Sequence, residues 1–219
     1  MTTIKILFIT LTVALLNLAI PAYATQMTQN KSPITIFAIF HDEVPYDKRQ
    51  TAYTENILPF IKDFEGFTGR QVNIVFDRSS PPYSNFNYKS DDLQKLMRQW
   101  NDLSTNYLTK RRAEGFSIAP LDRVLLITNG VINGTPLTVG TAGVALQPGR
   151  AAIASLIQVQ NIGHELGHTF NANHEGGEVL YNGWWCETFM FPPLPLRYSC
   201  FRFSEENKTR INDYLKAYN

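Results

Sequence analysis

No charge of one sign dominates this chain: 20 Lys+Arg against 19 Asp+Glu leave a formal net charge of +1 over 219 residues. A broad electrostatic footprint on nucleic acid or on an anionic membrane is therefore not expected. Charged residues are only 18% of the chain against 44% hydrophobic, and no repeat or low-complexity stretch occurs, which excludes a disordered chain, a collagen-like repeat and a coiled coil. Cysteine is scarce, at two, and so is histidine, at four. Long apolar runs are missing except at the amino end. There Lys5 precedes an apolar stretch from Ile6 to Ile20, and Ala22-Tyr23-Ala24 supplies small residues for cleavage. Its 15 residues fall short of the roughly 20 that a spanning helix needs, so residues 1–24 read as a signal peptide, with an uncleaved anchor as the competing reading.

Residues 25–219 are then enough for a single domain. Thr25 to Ser32 is polar. Ile34 to Phe40 is a β-branched and aromatic run that reads as a buried strand. From Asp47 to Phe67, the apolar residues Ile57, Leu58, Ile61 and Phe64 recur at helical spacing, with Gly66 and Gly69 as the stop. A strand at Gln71 to Phe76, a loop at Arg78 to Tyr88 and a long helix capped at Ser90 follow. Asp122 to Thr128 is a third buried strand. This strand-helix-strand-helix-strand order favours an α/β fold with a partly parallel sheet covered by helices. Trp184 and Trp185 read as core more than as cleft lining. Asn30, Asn133 and Asn207 each begin an N-x-Ser/Thr sequon. The even cysteine count after an export signal suggests one disulfide between Cys186 and Cys200, a spacing unlike any zinc knuckle.

Three of the four histidines fall in the window His164-Glu165-Leu166-Gly167-His168-Thr169-Phe170-Asn171-Ala172-Asn173-His174. On a helix, residues four apart lie about 40° around the axis and about 6 Å along it, so His164 and His168 offer two imidazoles to one ion. Three protein ligands with one open position make a catalytic zinc site, and Glu165 can face water there as general base. A continued helix would turn His174 about 120° away, so the chain must leave the helix first. Asn171 suits that exit, because Asn tolerates the positive φ of a left-handed cap. His41, beside Asp42 and Glu43, reads as a surface histidine rather than a ligand.

This window resembles the signature of the metzincin clan of zinc endopeptidases, HExxHxxGxxH followed by a methionine turn, with Asn171 where Gly is usual. Met190, sixteen residues after His174, is the candidate Met-turn residue and would form an apolar floor beneath the zinc. Glu175 after the third His is similar to the astacin pattern. Pro192 stands where astacins and serralysins carry a zinc-proximal Tyr, and the Cys186 and Cys200 surroundings look more like the adamalysin-type tail. No Cys precedes the motif, so a matrixin-type cysteine switch is not expected.

The resemblance implies a twisted mixed sheet with two long helices in an upper lobe at about residues 33–171. It also implies an active-site helix and a small irregular lower lobe at about 172–219 ending in a helix. It implies one catalytic Zn²⁺ held by His164, His168 and His174, and hydrolysis of peptide bonds in proteins or peptides by a zinc-bound water that Glu165 activates. With no Tyr at 192, oxyanion stabilisation would fall mainly to the metal. An extended substrate would pair with an edge strand within Leu137 to Pro148, at Gly143, Val144 and Ala145, beside a wall beginning Phe191-Pro192 and running to Pro195. The expected protein is a secreted or periplasmic monomer with no stable membrane insertion after signal cleavage. The rival is a non-enzymatic secreted binding protein that retains a zinc metallopeptidase fold.

Overall fold

The computed structural model describes residues 31–134, 140–181, 183–192 and 198–218. The expected signal peptide, residues 137–139 of the glycine-rich strand and residues 193–195 of the proline wall lie outside them. β1 (Ile34–Phe40) is buried on both faces, as an unbroken apolar run demands of a central strand. The next helical stretch is not uniform: α1 (Tyr46–Ala52) passes through a π turn (Tyr53–Ile57) into α2 (Leu58–Thr68). Phe60 therefore joins Ile57, Ile61 and Phe64 in the core while Leu58 is only partly buried, because the wider turn shifts the buried face. Gly69 closes α2 at φ 65°, as its position in the sequence suggests.

β2 (Val72–Asp77) leads to α3 (Leu93–Ala113), whose true N-cap is Asp92: its carboxylate accepts the Lys95 N–H at 2.9 Å. Ser90, the expected cap, instead bonds the backbone of Asp92. β3 (Arg123–Thr128), β4 (Gly143–Ala145), β5 (Ala151–Ser155), α4 (Asn161–Thr169) and α5 (Glu205–Leu215) complete the larger part. Its sheet has the order β2-β1-β3-β5-β4, all parallel except β4, which runs antiparallel to β5 at the edge. Side chains alternate between two cores: α3 covers Phe37, Ile39, Val124 and Leu126, while α2, α4 and α5 cover Ile36, Ala38, Leu125 and Ile127.

Sequence reasoning missed β5. This strand stands between the edge strand and β3, so the edge reaches α4 through a second arm of the same hairpin. The lower part is also less irregular than expected. β6 (Val179–Tyr181), β7 (Trp185–Glu187) and β8 (Tyr198–Ser199) form a small sheet in that order, and Cys186 and Cys200 are disulfide-bonded across it. Trp184 just before β7 and Trp185 at its start are 62% and 58% exposed, which corrects their reading as core residues. Fold class agrees with the expectation: a mixed sheet under helices, a short helix bearing the histidine motif and a terminal helix.

Candidate metal centre

α4 presents one face to the β-sheet core through Ile162 and Leu166 and the other to the histidine cluster. His164 and His168 project one turn apart, as their spacing requires. The helix then stops. Asn171 has φ 75°, the left-handed conformation expected of it, and the Ala172 N–H turns back to Gly167 O at 3.0 Å. That reversal brings His174 to the other two. The three Nε2 atoms lie 3.2 Å (His164 to His168), 3.1 Å (His168 to His174) and 3.0 Å (His164 to His174) apart.

These separations fit one small cation. Tetrahedral ligands at zinc–nitrogen distances would stand about 3.3 Å apart. The orientation of the rings agrees: His164 Nδ1 meets Phe189 O at 2.7 Å and His168 Nδ1 meets Ala172 O at 3.0 Å, each able to donate a proton there. Both Nε2 atoms then turn lone pairs toward a common point, which suits a cation held between them. Burial first, and then neighbouring imidazoles, lower the His164 pKa to about 3 and the His168 pKa to about 4, so both are in the ligating neutral form at neutral pH.

The Glu165 side chain is buried against β4. A Cβ at residue 143 would lie 2.5 Å from its Oε1, so only glycine leaves room for the carboxylate there. Burial pushes the Glu165 pKa up to about 8. Met190 is fully buried, and a Cβ at Gly167 would meet its Sδ at 2.7 Å. Met190 thus packs directly against the helix between the two ligand turns. In the same segment Phe189 lies so close to Gly163 that a Cβ there would meet the ring at 2.5 Å. The two glycines let the candidate methionine turn approach α4, and that approach delivers the Phe189 carbonyl to His164.

Two supports were not foreseen. Asn207, read only as a sequon, is buried and clamps the residue before His174: its Oδ1 accepts from Asn173 N at 2.8 Å and its Nδ2 donates to Asn173 O at 3.0 Å. Arg123 is buried beneath the end of α4, where Nε donates to Thr169 Oγ1 and Nη2 to Thr169 O, both at 3.1 Å. Its guanidinium lies 4.0 Å over the Phe170 ring, and its charge faces the negative end of the helix. Burial lowers its pKa to about 10, which still leaves it charged at neutral pH. Arg123 opens β3, and in the sequence it is only a charged residue ahead of an apolar run.

The remaining candidates are distributed around the cluster. Gly143 and Ala145 belong to the outer strand of the sheet, with Val144 turned toward α3. Phe191 is partly buried and Pro192 exposed, and Phe191 N closes a turn onto Thr188 O at 3.0 Å. A Cβ at Gly177, in the loop after His174, would meet Phe191 Cα at 2.9 Å. His41 is not part of the cluster: its Nε2 sits 3.2 Å from Phe86 O and its Nδ1 3.9 Å from Glu43.

No protein-family model matches the chain, and no curated protein sequence does. Solved structures do. The chain is similar to archaemetzincin from Methanopyrus kandleri, at 20% identity and a TM-score of 0.51 over 87% of this chain and 99% of that one. It is also similar to metalloproteinase-II from Bacteroides fragilis, at 15% identity and a TM-score of 0.54 over 87% of this chain and 55% of that one, about half that protein's length. At these identities the likeness establishes a fold shared with those two proteins.

Proposed function

We propose that this protein is an exported zinc-dependent endopeptidase that hydrolyses peptide bonds in extended protein or peptide segments. The observation that carries the reading is the convergence of the His164, His168 and His174 Nε2 atoms within 3.2 Å of one another, with a carboxylate one residue along the same helix. His164, His168 and His174 would hold one Zn²⁺, and Met190 would floor the site. Zn²⁺ held there supplies a Lewis acid that polarises a carbonyl and acidifies water. Ionised under the charge of a bound cation, Glu165 would take a proton from the attacking water at a carboxylate oxygen and pass it to the leaving amine. Its burial against Gly143 keeps bulk water from competing for that proton. β4 holds the substrate backbone as an added antiparallel strand, and the segment at Phe191 and Pro192 borders the far side.

Export is supported by the Cys186–Cys200 disulfide, a bond that persists in oxidising compartments. No helix among the described residues is long and apolar enough to cross a membrane. The test compares wild type with Glu165→Ala on a broad peptide library, together with metal analysis of both. About one zinc per chain in each, and cleavage about 10²- to 10⁴-fold slower in the variant, is expected. Equal and negligible cleavage by both under zinc-replete conditions would discard the peptidase reading in favour of a zinc-holding binding protein.

A further inference from the structure

On the opposite face of the sheet from the histidines, α3 and the chain leaving β4 enclose a groove of about 300 Å³. Two guanidiniums line it, from Arg112 near the end of α3 and Arg150 just before β5. Among the described residues neither has a carboxylate partner in a salt bridge. Their bonds go to neutral carbonyls: Arg150 Nε to Asp122 O at 3.1 Å and Nη2 to Ala119 O at 2.8 Å, and Arg112 Nη2 to Ile118 O at 3.5 Å. Burial first lowers the Arg150 pKa, the Asp122 charge opposes that, and the smaller push of Arg112 adds to it, so the two cations share a neighbourhood with one carboxylate whose oxygens accept from the backbone N–H groups of Thr35 and Ala119.

A second observation is independent of these charges. Ser104 lines the same groove at 2% exposure, and its Oγ has no hydrogen-bond partner. A helical serine or threonine ordinarily bonds the carbonyl four residues back. Thr105 and Thr109, beside it on α3, do so at 2.9 and 3.0 Å. Ser104 does not. A buried hydroxyl without a partner is costly unless something else meets it.

The position of the groove identifies what meets it. Pairing along β4 has Ser155 N bonded to Ala142 O and Leu146 N to Ala151 O, so Ala142, Val144 and Leu146 face inward to β5 while Gly143 and Ala145 turn their backbone groups to the open edge. A peptide paired antiparallel to this edge has side chains on the same faces as the residues opposite. The one opposite Leu146 therefore points to the α3 face, where Leu146, Arg150 and Arg112 line the groove. Because the peptide runs against β4, that residue lies on the amino-terminal side of the one opposite Gly143, about 10 Å away at strand spacing.

We propose that the Arg112–Arg150–Ser104 groove is an acidic subsite, which binds the carboxylate of a Glu or Asp three residues to the amino-terminal side of the peptide residue opposite Gly143. The inference rests on the peptidase reading and adds a specificity to it. The N–H groups of both guanidiniums that those carbonyls leave free, with the unpartnered Ser104 hydroxyl, can meet a carboxylate, and the volume of the groove accommodates a Glu side chain.

The test uses zinc-loaded Glu165→Ala protein, which binds without cleaving, and fluorescent peptides that differ only by Glu or Gln at that position. Anisotropy is expected to give about fivefold tighter binding of the Glu peptide at low salt, with the preference lost in Arg112→Gln and at high salt. Arg112 is exposed and Arg150 anchors two carbonyls, so Arg112→Gln is the variant that leaves folding intact. Equal binding of the two peptides, or a preference that survives both Arg112→Gln and Arg150→Met, would overturn the subsite. Failure of wild type to cleave any peptide in the set is scored separately and counts against the peptidase reading alone.

Discussion

Gly143 and Glu165 are 22 residues apart in sequence, and the absence of a side chain at one makes room for the carboxylate of the other. Both were visible as candidates in the sequence, but their contact was not, because it depends on how the edge strand crosses α4. Gly143→Ala is expected to push the carboxylate aside without touching the three histidines. Peptide cleavage should then fall at least about tenfold in kcat/KM at unchanged zinc content, with overpacking costing about 1–3 kcal/mol of stability. A folded variant with wild-type kcat/KM would show that Glu165 does not need its place against β4. The histidine cluster itself was legible because helix geometry fixes which residues share a face. Asn171 was legible for a similar reason, since few residues accept φ 75°. Asn207 was not, because a side chain that clamps a backbone 34 residues away carries no local pattern.

β4 and β5 mark where the sequence stops being informative at the scale of an element. β5 reads Ala-Ala-Ile-Ala-Ser, poor in the β-branched and aromatic residues that announce a strand. Its residues are all buried, pressed between α3 on one face and α4 on the other, and alanine is what such close approach permits. Tertiary packing thus overrides propensity, which a one-dimensional pattern cannot reveal. The same hairpin decides how strand addition is tested. Val144 donates inward to β5, so Val144→Pro would break the sheet itself and is not a clean probe. Ala145 turns its N–H to the open edge. Ala145→Pro is expected to keep the β4–β5 pairing and to raise KM for extended peptides about tenfold, as one main-chain hydrogen bond to substrate is lost. An unchanged KM in the folded variant would place the peptide elsewhere.

For the whole molecule, the histidines and Glu165 bias stability in opposite directions with pH when no metal is bound. The folded-state pKa values of His164 and His168, about 3 and 4, lie below the ordinary 6.5. Between those values the unfolded chain binds more protons, so stability falls as the solution is acidified through that window. Glu165 is raised from 4.5 to about 8, so the folded chain holds a proton that the unfolded chain has released, and stability falls as pH rises from 4.5 to 8. Metal-free protein should therefore be most stable on the mildly acidic side of neutrality. Glu165→Gln separates the two effects. In thermal melts of chelator-treated protein, wild type and variant should differ little below the ordinary carboxylate range, and the variant should gain on the order of 2–5 kcal/mol by about pH 8. Bound Zn²⁺ changes this balance, because a cation beside Glu165 favours its charged form and narrows the gap at high pH. Parallel melting curves for the two metal-free proteins from pH 4 to pH 9 would mean that Glu165 is not held in a desolvated position, and its burial against Gly143 would have to be given up.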